Sequence, residues 1–270
     1  MTDAKIAILG AGGRMGRALT LALDATAGAA VSAAIEHSGS ALLGQDAGVL
    51  AGLPANGTTL TDDADSALAS CDAAIDFSTP AATVRNVTLA AKRGIPCVVG
   101  TTGLAQADEQ ILRESALRIP VVYAANYSVG MTLLADLVTR TAARLGDDFD
   151  IEIIDMHHRH KIDAPSGSAL MLGRAAAKGR GITLDDVAVR GRDGMTGARP
   201  QGAIGFVAVR GGDVPGDHTV IFAGEGERLE LTHRAGSRGI FARGAVRAAL
   251  WAIGKPPGLY TMRDVLGLTV

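Results

Sequence analysis

Aromatic residues make up only 3% of this 270-residue chain, so composition excludes an aromatic-rich recognition surface. Cysteine is scarce as well. Cys71 and Cys97 lie far apart, form no CxxC or zinc-type spacing, and give no sign of an oxidising compartment. Charge of one sign is missing: 26 basic against 28 acidic side chains leave a net charge of −2, which argues against a nucleic-acid partner held by bulk charge. Long apolar runs are absent, because Asp136 and Arg140 interrupt the most tempting one, VGMTLLADLVTR. The N-terminal MTDAKIAILGAGG has no signal-peptide layout. The expectation is a soluble, cytoplasmic protein without membrane contact.

What is present is a 47% hydrophobic composition, enough for a sizeable core, and 35 glycines, which imply many tight turns and close backbone approaches. The first half alternates short apolar runs with helical patterns. KIAIL (5–9), AVSAAIE (30–36), AAIDF (73–77), CVVG (97–100) and VVYAAN (121–126) read as strands, separated by helices such as PAATVRNVTLAAKRG and LAQADEQILRESALR. Such alternation predicts a parallel sheet covered on both faces.

After a helix over about 129–145 the character changes. DIEIIDMHH (150–158) reads as a strand and SALMLGRAAAKGRG as a helix. VAVRG, AIGFVAVRGG, HTVIFAG and RLELTHRA then follow without intervening helices. A long helical pattern, RGIFARGAVRAALWAIG (238–254), comes last. The fold expected is an α/β, Rossmann-like, doubly wound parallel sheet, plus a second α+β domain with a mixed, largely antiparallel sheet. The first domain would take 1–128 and 240–270, and the second 129–239.

Chemistry concentrates in two places. KIAILGAGGRMGRAL sets Gly10, Gly12, Gly13 and Gly16 between the first strand and the first helix. This is not G-x-G-x-x-G, since Met15 holds the sixth position, but G-x-x-G-x-x-G fits Gly10, Gly13 and Gly16. A dinucleotide pyrophosphate needs a tight turn, close backbone approach and helix N-terminal amides, and this register supplies all three. Glu36, twenty residues after Gly16, ends the second strand and can accept from ribose hydroxyls. GTTG (100–103) and AANYSVG (124–130) end two further strands on the side where such sheets bind ligands.

The second place is HHRHKIDAPSGSA (157–169), which holds half of the six histidines. Continued strand alternation would put His157, Arg159 and Lys161 on one face and His158 with His160 on the other. That divergence, together with the embedded cations, argues against a metal site. Ser166 reads as a helix N-cap, leaving the first-turn amides of Gly167 and Ser168 for an anion. Lys161 is a candidate charged donor, and His157 or His158 a candidate acid near neutral pH. The pattern fits hydride transfer from a nicotinamide cofactor to an anionic substrate.

Taken together, GAGGRMGR, DFSTP, GTTG, AANYSVG, IEIIDMHHRHKIDAPSGSA, THRAGSRGIFARGAVRAALW and GLYTMRDVLGL resemble the dihydrodipicolinate reductase family over essentially the whole chain. The resemblance implies NADH- or NADPH-dependent reduction of a cyclic imine dicarboxylate on the diaminopimelate route to lysine, in a homotetramer. It implies that His157 is the acid/base histidine and Lys161 the proton-donating lysine, with substrate contacts at His158, Gly167 and Ser168. Cofactor contacts would fall on Gly10, Ala11, Gly12, Gly13, Arg14, Met15, Glu36, Gly100, Thr101, Thr102, Ala124, Ala125, Asn126 and Tyr127. Two departures stand out: many relatives carry arginine where this chain has His37, and some where it has Thr79, and either arginine would favour a 2′-phosphate, while Arg14 is retained. NADH is therefore expected to serve at least as well as NADPH. Two other readings of the residues stay open here: a two-domain nicotinamide dehydrogenase for an amino acid or semialdehyde, and a dinucleotide sensor without chemistry. Which of His157 and Lys161 delivers the proton, and what His160 does, the sequence leaves open.

Overall fold

The computed structural model describes residues 2–268. The chain divides into two compact units, Met1–Val129 with Gly239–Val270, and Gly130–Arg238.

The first unit runs β1 (Ala4–Leu9), α1 (Arg14–Asp24), β2 (Ala29–Ile35), α2 (Ala47–Leu50), β3 (Leu60–Thr61), α3 (Ala64–Leu68), β4 (Ala73–Asp76), α4 (Pro80–Arg93), β5 (Cys97–Val99), α5 (Gln106–Ala116) and β6 (Pro120–Tyr123). The second holds α6 (Val129–Leu145), β7 (Asp150–His157), α7 (Gly167–Arg180), α8 (Leu184–Val187), β8 (Ala188–Val189), β9 (Ile204–Arg210), β10 (Asp217–Ala223) and β11 (Arg228–Arg234). The chain then returns to the first unit with α9 (Gly239–Ala252), β12 (Gly258–Tyr260) and α10 (Met262–Val265).

In the first unit the sheet order is β12-β6-β5-β4-β1-β2-β3, with every pairing parallel. Period-two alternation splits β1 between two cores. Ile6 and Ile8 face a cluster with Leu19 and Leu23 of α1 and Ala245, Ala248 and Ala249 of α9, whereas Ala7 and Leu9 face Val87, Leu112 and Ile119. Burial on both faces is what makes these strands read as unbroken apolar runs. β3 and β12 escaped the sequence reading because two or three residues carry no period.

The second sheet runs β11-β10-β7-β9-β8. Two of its pairings are antiparallel and two parallel, so it is mixed in equal parts. Ile151, Ile153, Asp155 and His157 form the buried face of β7, sharing a core with Leu172 and Ala176 of α7, and with Phe206, Val220 and Phe222. On β9, Val207 and Val209 remain exposed.

Gly16 shows how tightly α1 seats. A Cβ there would run into the backbone carbonyls of Gly10 and Ala11. Helix propensity alone would make Gly16→Ala stabilising by up to about 1 kcal/mol. The collision is with backbone, which yields poorly, so we expect net destabilisation of about 1–3 kcal/mol in urea unfolding.

Candidate active site

The order of the first sheet reverses between β1 and β4, and a cavity of about 950 Å³ opens beyond their carboxyl ends. Gly10 and Gly13, Glu36 and His37, and Phe77, Ser78 and Thr79 line it, from the ends of β1, β2 and β4. Gly10 holds φ +82°, and its missing Cβ would sit 3.0 Å from the Phe77 carbonyl oxygen. Gly13 caps α1 without a side chain, so the N-cap position makes no side-chain hydrogen bond to the first-turn amides. Ala11 is buried, while Gly13 and Arg14 are exposed.

Glu36 directly follows β2 and is firmly fixed. Its Oε2 accepts from the Gly12 amide at 2.9 Å, and its Oε1 lies 2.7 Å from Nδ1 of His37. A Cβ on Gly12 would invade this carboxylate. Burial pushes the Glu36 carboxyl up, but the His37 amide and ring and the Gly12 amide prevail and hold it below its usual value. Cavity, capless helix start and fixed carboxylate together fit a dinucleotide's pyrophosphate and ribose.

A residue that sequence reasoning passed over organises the neighbouring strand ends. Asp76, fully buried at the end of β4, accepts from the Ser78 amide (2.9 Å) and hydroxyl (2.6 Å), from Asn86 Nδ2 (2.9 Å) and from Thr101 Oγ1 (3.4 Å). Burial pushes its pKa up, and these neutral donors offset that only in part. Thr101 is thus drawn into the interior, leaving Thr102 exposed beside it. Gly100 is where the Phe77 ring leaves no room for a Cβ. Tyr127 is a core residue by its side chain: it is 1% exposed and its hydroxyl donates to the carbonyls of Val99 (2.9 Å) and Val122 (2.8 Å). Only its backbone is available to a ligand. Ala125 is exposed, Ala124 is half-buried, and the Asn126 side chain accepts from the Ser128 amide.

In the second unit β7 ends at His157, and the chain turns immediately. The Lys161 amide donates to the His158 carbonyl at 3.1 Å. The alternation expected through Lys161 therefore stops at His157, and the residues after it are arranged by a turn. The rings of His158 and His160 lie 6.3 Å apart, and His160 is exposed. Lys161 pairs with Asp163 at 2.8 Å. Ser166 caps α7, its hydroxyl accepting from the Ala169 amide at 3.1 Å, and Gly167 stands exposed in the first turn with Ser168 half-buried behind it.

His157 sits in a buried group. Its Nδ1 is 2.7 Å from Asp155 Oδ1, and Asp155 Oδ1 is 3.4 Å from Nε2 of His218. The 2.7 Å approach does not line up as a hydrogen bond. Asp155 Oδ2 accepts from the Ser166 amide (2.7 Å) and from Arg210 (3.2 Å). Burial pushes Asp155 up, but His218, Ser166 and His157 outweigh it and hold the carboxyl well below the carboxylate range. His157 is held low, by burial first and then by His218, Lys161 and Arg210 against the opposing Asp155. By ligand type, Asp155, His157 and His218 could hold a divalent cation. Arg210 on the carboxylate and Lys161 near His157 oppose one. Asp155 was legible in principle, two residues before His157 on the same strand face. His218 and Arg210 reach the group only through β10 and β9, with no local signal.

An open parallel sheet with a glycine-walled cleft at its switch point, joined to a second α+β unit, defines the class: a two-unit, dinucleotide-fold protein. Residues 4–127 match the family described as "Dihydrodipicolinate reductase, N-terminus" and residues 130–266 the one described as "Dihydrodipicolinate reductase, C-terminus". The chain belongs to the dihydrodipicolinate reductase family. It is 58% identical over 268 residues to a 4-hydroxy-tetrahydrodipicolinate reductase of Rhodopseudomonas palustris (strain HaA2), covering 99% of both chains. It is 56% identical to the Bradyrhizobium diazoefficiens protein of the same name, again over 99% of both. Among solved structures it resembles a dipicolinate-bound dihydrodipicolinate reductase from Paenisporosarcina sp. TG-14, with TM-score 0.79, 23% identity, and coverage of 97% of this chain and 99% of that one. A myo-inositol dehydrogenase from Corynebacterium glutamicum shares the fold at TM-score 0.58 and 17% identity, over 95% of this chain and 90% of that one. Among the described residues, no helix is long and apolar enough to cross a membrane.

His157 and His233 are both held below the usual histidine value, chiefly by burial. An unfolded histidine takes up a proton near pH 6.5, and these folded ones resist it, so stability is lost as pH falls below about 6.5. The unfolding midpoint should drop between about pH 7 and pH 5, and a His157→Gln/His233→Gln variant should drop less.

Proposed function

We propose that the chain catalyses the reaction named for its relatives: reduction of the cyclic imine dicarboxylate to tetrahydrodipicolinate, on the diaminopimelate route to lysine, with water lost when the 4-hydroxy compound is the substrate. The observation that carries this reading is identity above half over nearly the full length, with the His157–Ser168 element intact.

In this reading the unit with the glycine loop binds the dinucleotide. Gly10 to Met15 receive its pyrophosphate, Glu36 a ribose, and Gly100 to Thr102 with Ala124 to Tyr127 its nicotinamide end. Bound NADH or NADPH supplies a hydride. The residues of the second unit orient the substrate and move the proton. His158 and the first-turn amides of Gly167 and Ser168 receive a substrate carboxylate. Lys161, steadied by Asp163, adds a positive charge and donates toward ring C3 once the hydride has reached C4. His157, neutral in its buried site, acts as the proton relay. The same unit assembles the homotetramer, an assignment supported by exposed Val207 and Val209 on its sheet. The enzyme works in the cytoplasm.

NADH oxidation is to be followed with substrate made in situ from aspartate semialdehyde and pyruvate by the preceding synthase. Lys161→Ala should lose roughly 10²–10⁴-fold in kcat while still binding NADH. Retained activity would overturn the assignment of Lys161, and no turnover by the unaltered chain would overturn the function.

With His37 and Thr79 in place of arginines, kcat/KM for NADH should equal or exceed that for NADPH. A preference for NADPH of about tenfold, worth 1.4 kcal/mol, would reverse this reading.

A further inference from the structure

We infer that Asp155 and His218 are positioning residues that hold the His157 ring in one tautomer and lock it to the N-terminus of α7. The inference rests on the reading of His157 as a proton-handling group.

The argument begins with cost. Asp155 is fully buried in a row whose preceding members are Ile151 and Ile153, where an unpaired carboxylate would be strongly destabilising. Its two oxygens divide the work. Oδ2 is taken by the Ser166 amide and by Arg210, so it anchors the capping residue of α7. Oδ1 has no aligned donor and is left facing the two histidines.

At 2.7 Å from a carboxylate oxygen, Nδ1 of His157 must carry the ring proton, since two acceptors that close would repel. Nε2 is then the nitrogen free to exchange. Gly216 keeps that nitrogen uncovered, because a Cβ there would lie 2.9 Å from it. His218, 3% exposed, packs its ring edge-on against His157 with centroids 5.2 Å apart. Its Nε2 lies 3.1 Å from Ser166 Oγ, the same oxygen that caps α7. Carboxylate, both rings and the cap thus form one unit. The ring that moves the proton and the helix end that receives the substrate carboxylate are set by the same group.

Around His157 stand Asp155 on its own strand, Lys161 just beyond it, Arg210 on β9, His218 on β10, and the uncharged Ser166 before α7. Asp155 is the one anion among them. Removing its charge should make His157 still harder to protonate, moving its inflection in the pH–kcat profile to lower pH.

The test is a double-mutant cycle of Asp155→Asn with His157→Ala, on full-length chain shown by NADH binding and thermal melting to be folded. His157→Ala should lower kcat by roughly 100-fold or more. Asp155→Asn alone should lower kcat roughly tenfold or more, with a smaller change in KM and the inflection moved down in pH, and Asp155→Glu should recover most of the loss. In the His157→Ala background Asp155→Asn should cost nothing further. An equal loss in both backgrounds, or an unchanged kcat and inflection, overturns the inference while the role of His157 stands. Full kcat in His157→Ala overturns that role, and this inference with it. Should Asp155→Asn not fold, His218→Gln enters the same cycle: absence of a further loss on His157→Ala supports the inference, and an equal loss in both backgrounds overturns it.

Discussion

A carboxylate with no exposed surface, placed where an isoleucine row would otherwise continue, constrains everything around the second unit's site. Asp155 can be tolerated there only because four groups converge on it: the Ser166 amide, the Arg210 guanidinium, and the rings of His157 and His218. Each comes from a different part of the chain, so the folded sheet of β7, β9 and β10 and the start of α7 must all be in register before the charge is satisfied. The breakage of any one contact leaves a buried charge short of a partner, which costs more than the contact itself contributes. The site is rigid for the same reason that it is costly.

The first unit uses a buried carboxylate with opposite electrostatics. Asp76 is as thoroughly enclosed as Asp155, yet its pKa is pushed up where that of Asp155 is held down. Partner type separates them. Asp76 meets the neutral donors of Ser78, Asn86 and Thr101, which satisfy lone pairs without supplying opposite charge. Asp155 meets a guanidinium and two imidazoles. Asp76 therefore serves as scaffold, tying the end of β4 to α4 and to the segment after β5 from which Gly100 and Thr102 are presented. Asp155 serves as a source of field, acting on a titrating neighbour.

This contrast marks where the sequence was legible. The parallel sheet, the glycine loop, Glu36 after β2 and the Ser166 cap are local patterns, set by spacing of a few residues, and each can be seen in the structure. The resemblance also extends over the whole chain at once, which local pattern alone could not have supplied. What escaped was long-range convergence. Nothing near His218 announces that it will stand 3.4 Å from Asp155, 63 residues earlier in the chain; the pair is made by the register His218↔Asp155 between β10 and β7. The alternation argument for the histidine cluster failed for a physical reason too, because the turn at 158–161 ends the period on which it relied.

The cleft shows the same principle around Glu36, the residue proposed above to receive a ribose. Thr79 stands where the sequence resemblance leads one to look for an arginine, and from the sequence that reads as a missing cation. On α4, however, Ala82, Arg85, Asn86 and Leu89 follow helical spacing and together line the cavity, so the helix carries an exposed guanidinium to the same wall further along. Glu36 and Asp62 supply negative charge to that wall, while Arg85 and, when protonated, His37 supply positive. A wall lined by both signs neither repels a 2′-phosphate as Glu36 alone would nor grips one as a pair of arginines would. Fixed by the Gly12 amide and the His37 ring, Glu36 remains an acceptor suited to ribose hydroxyls. In the reading proposed above, discrimination between the two nicotinamide dinucleotides is thus a property of the whole wall, and the identity of residues 37 and 79 sets only part of it.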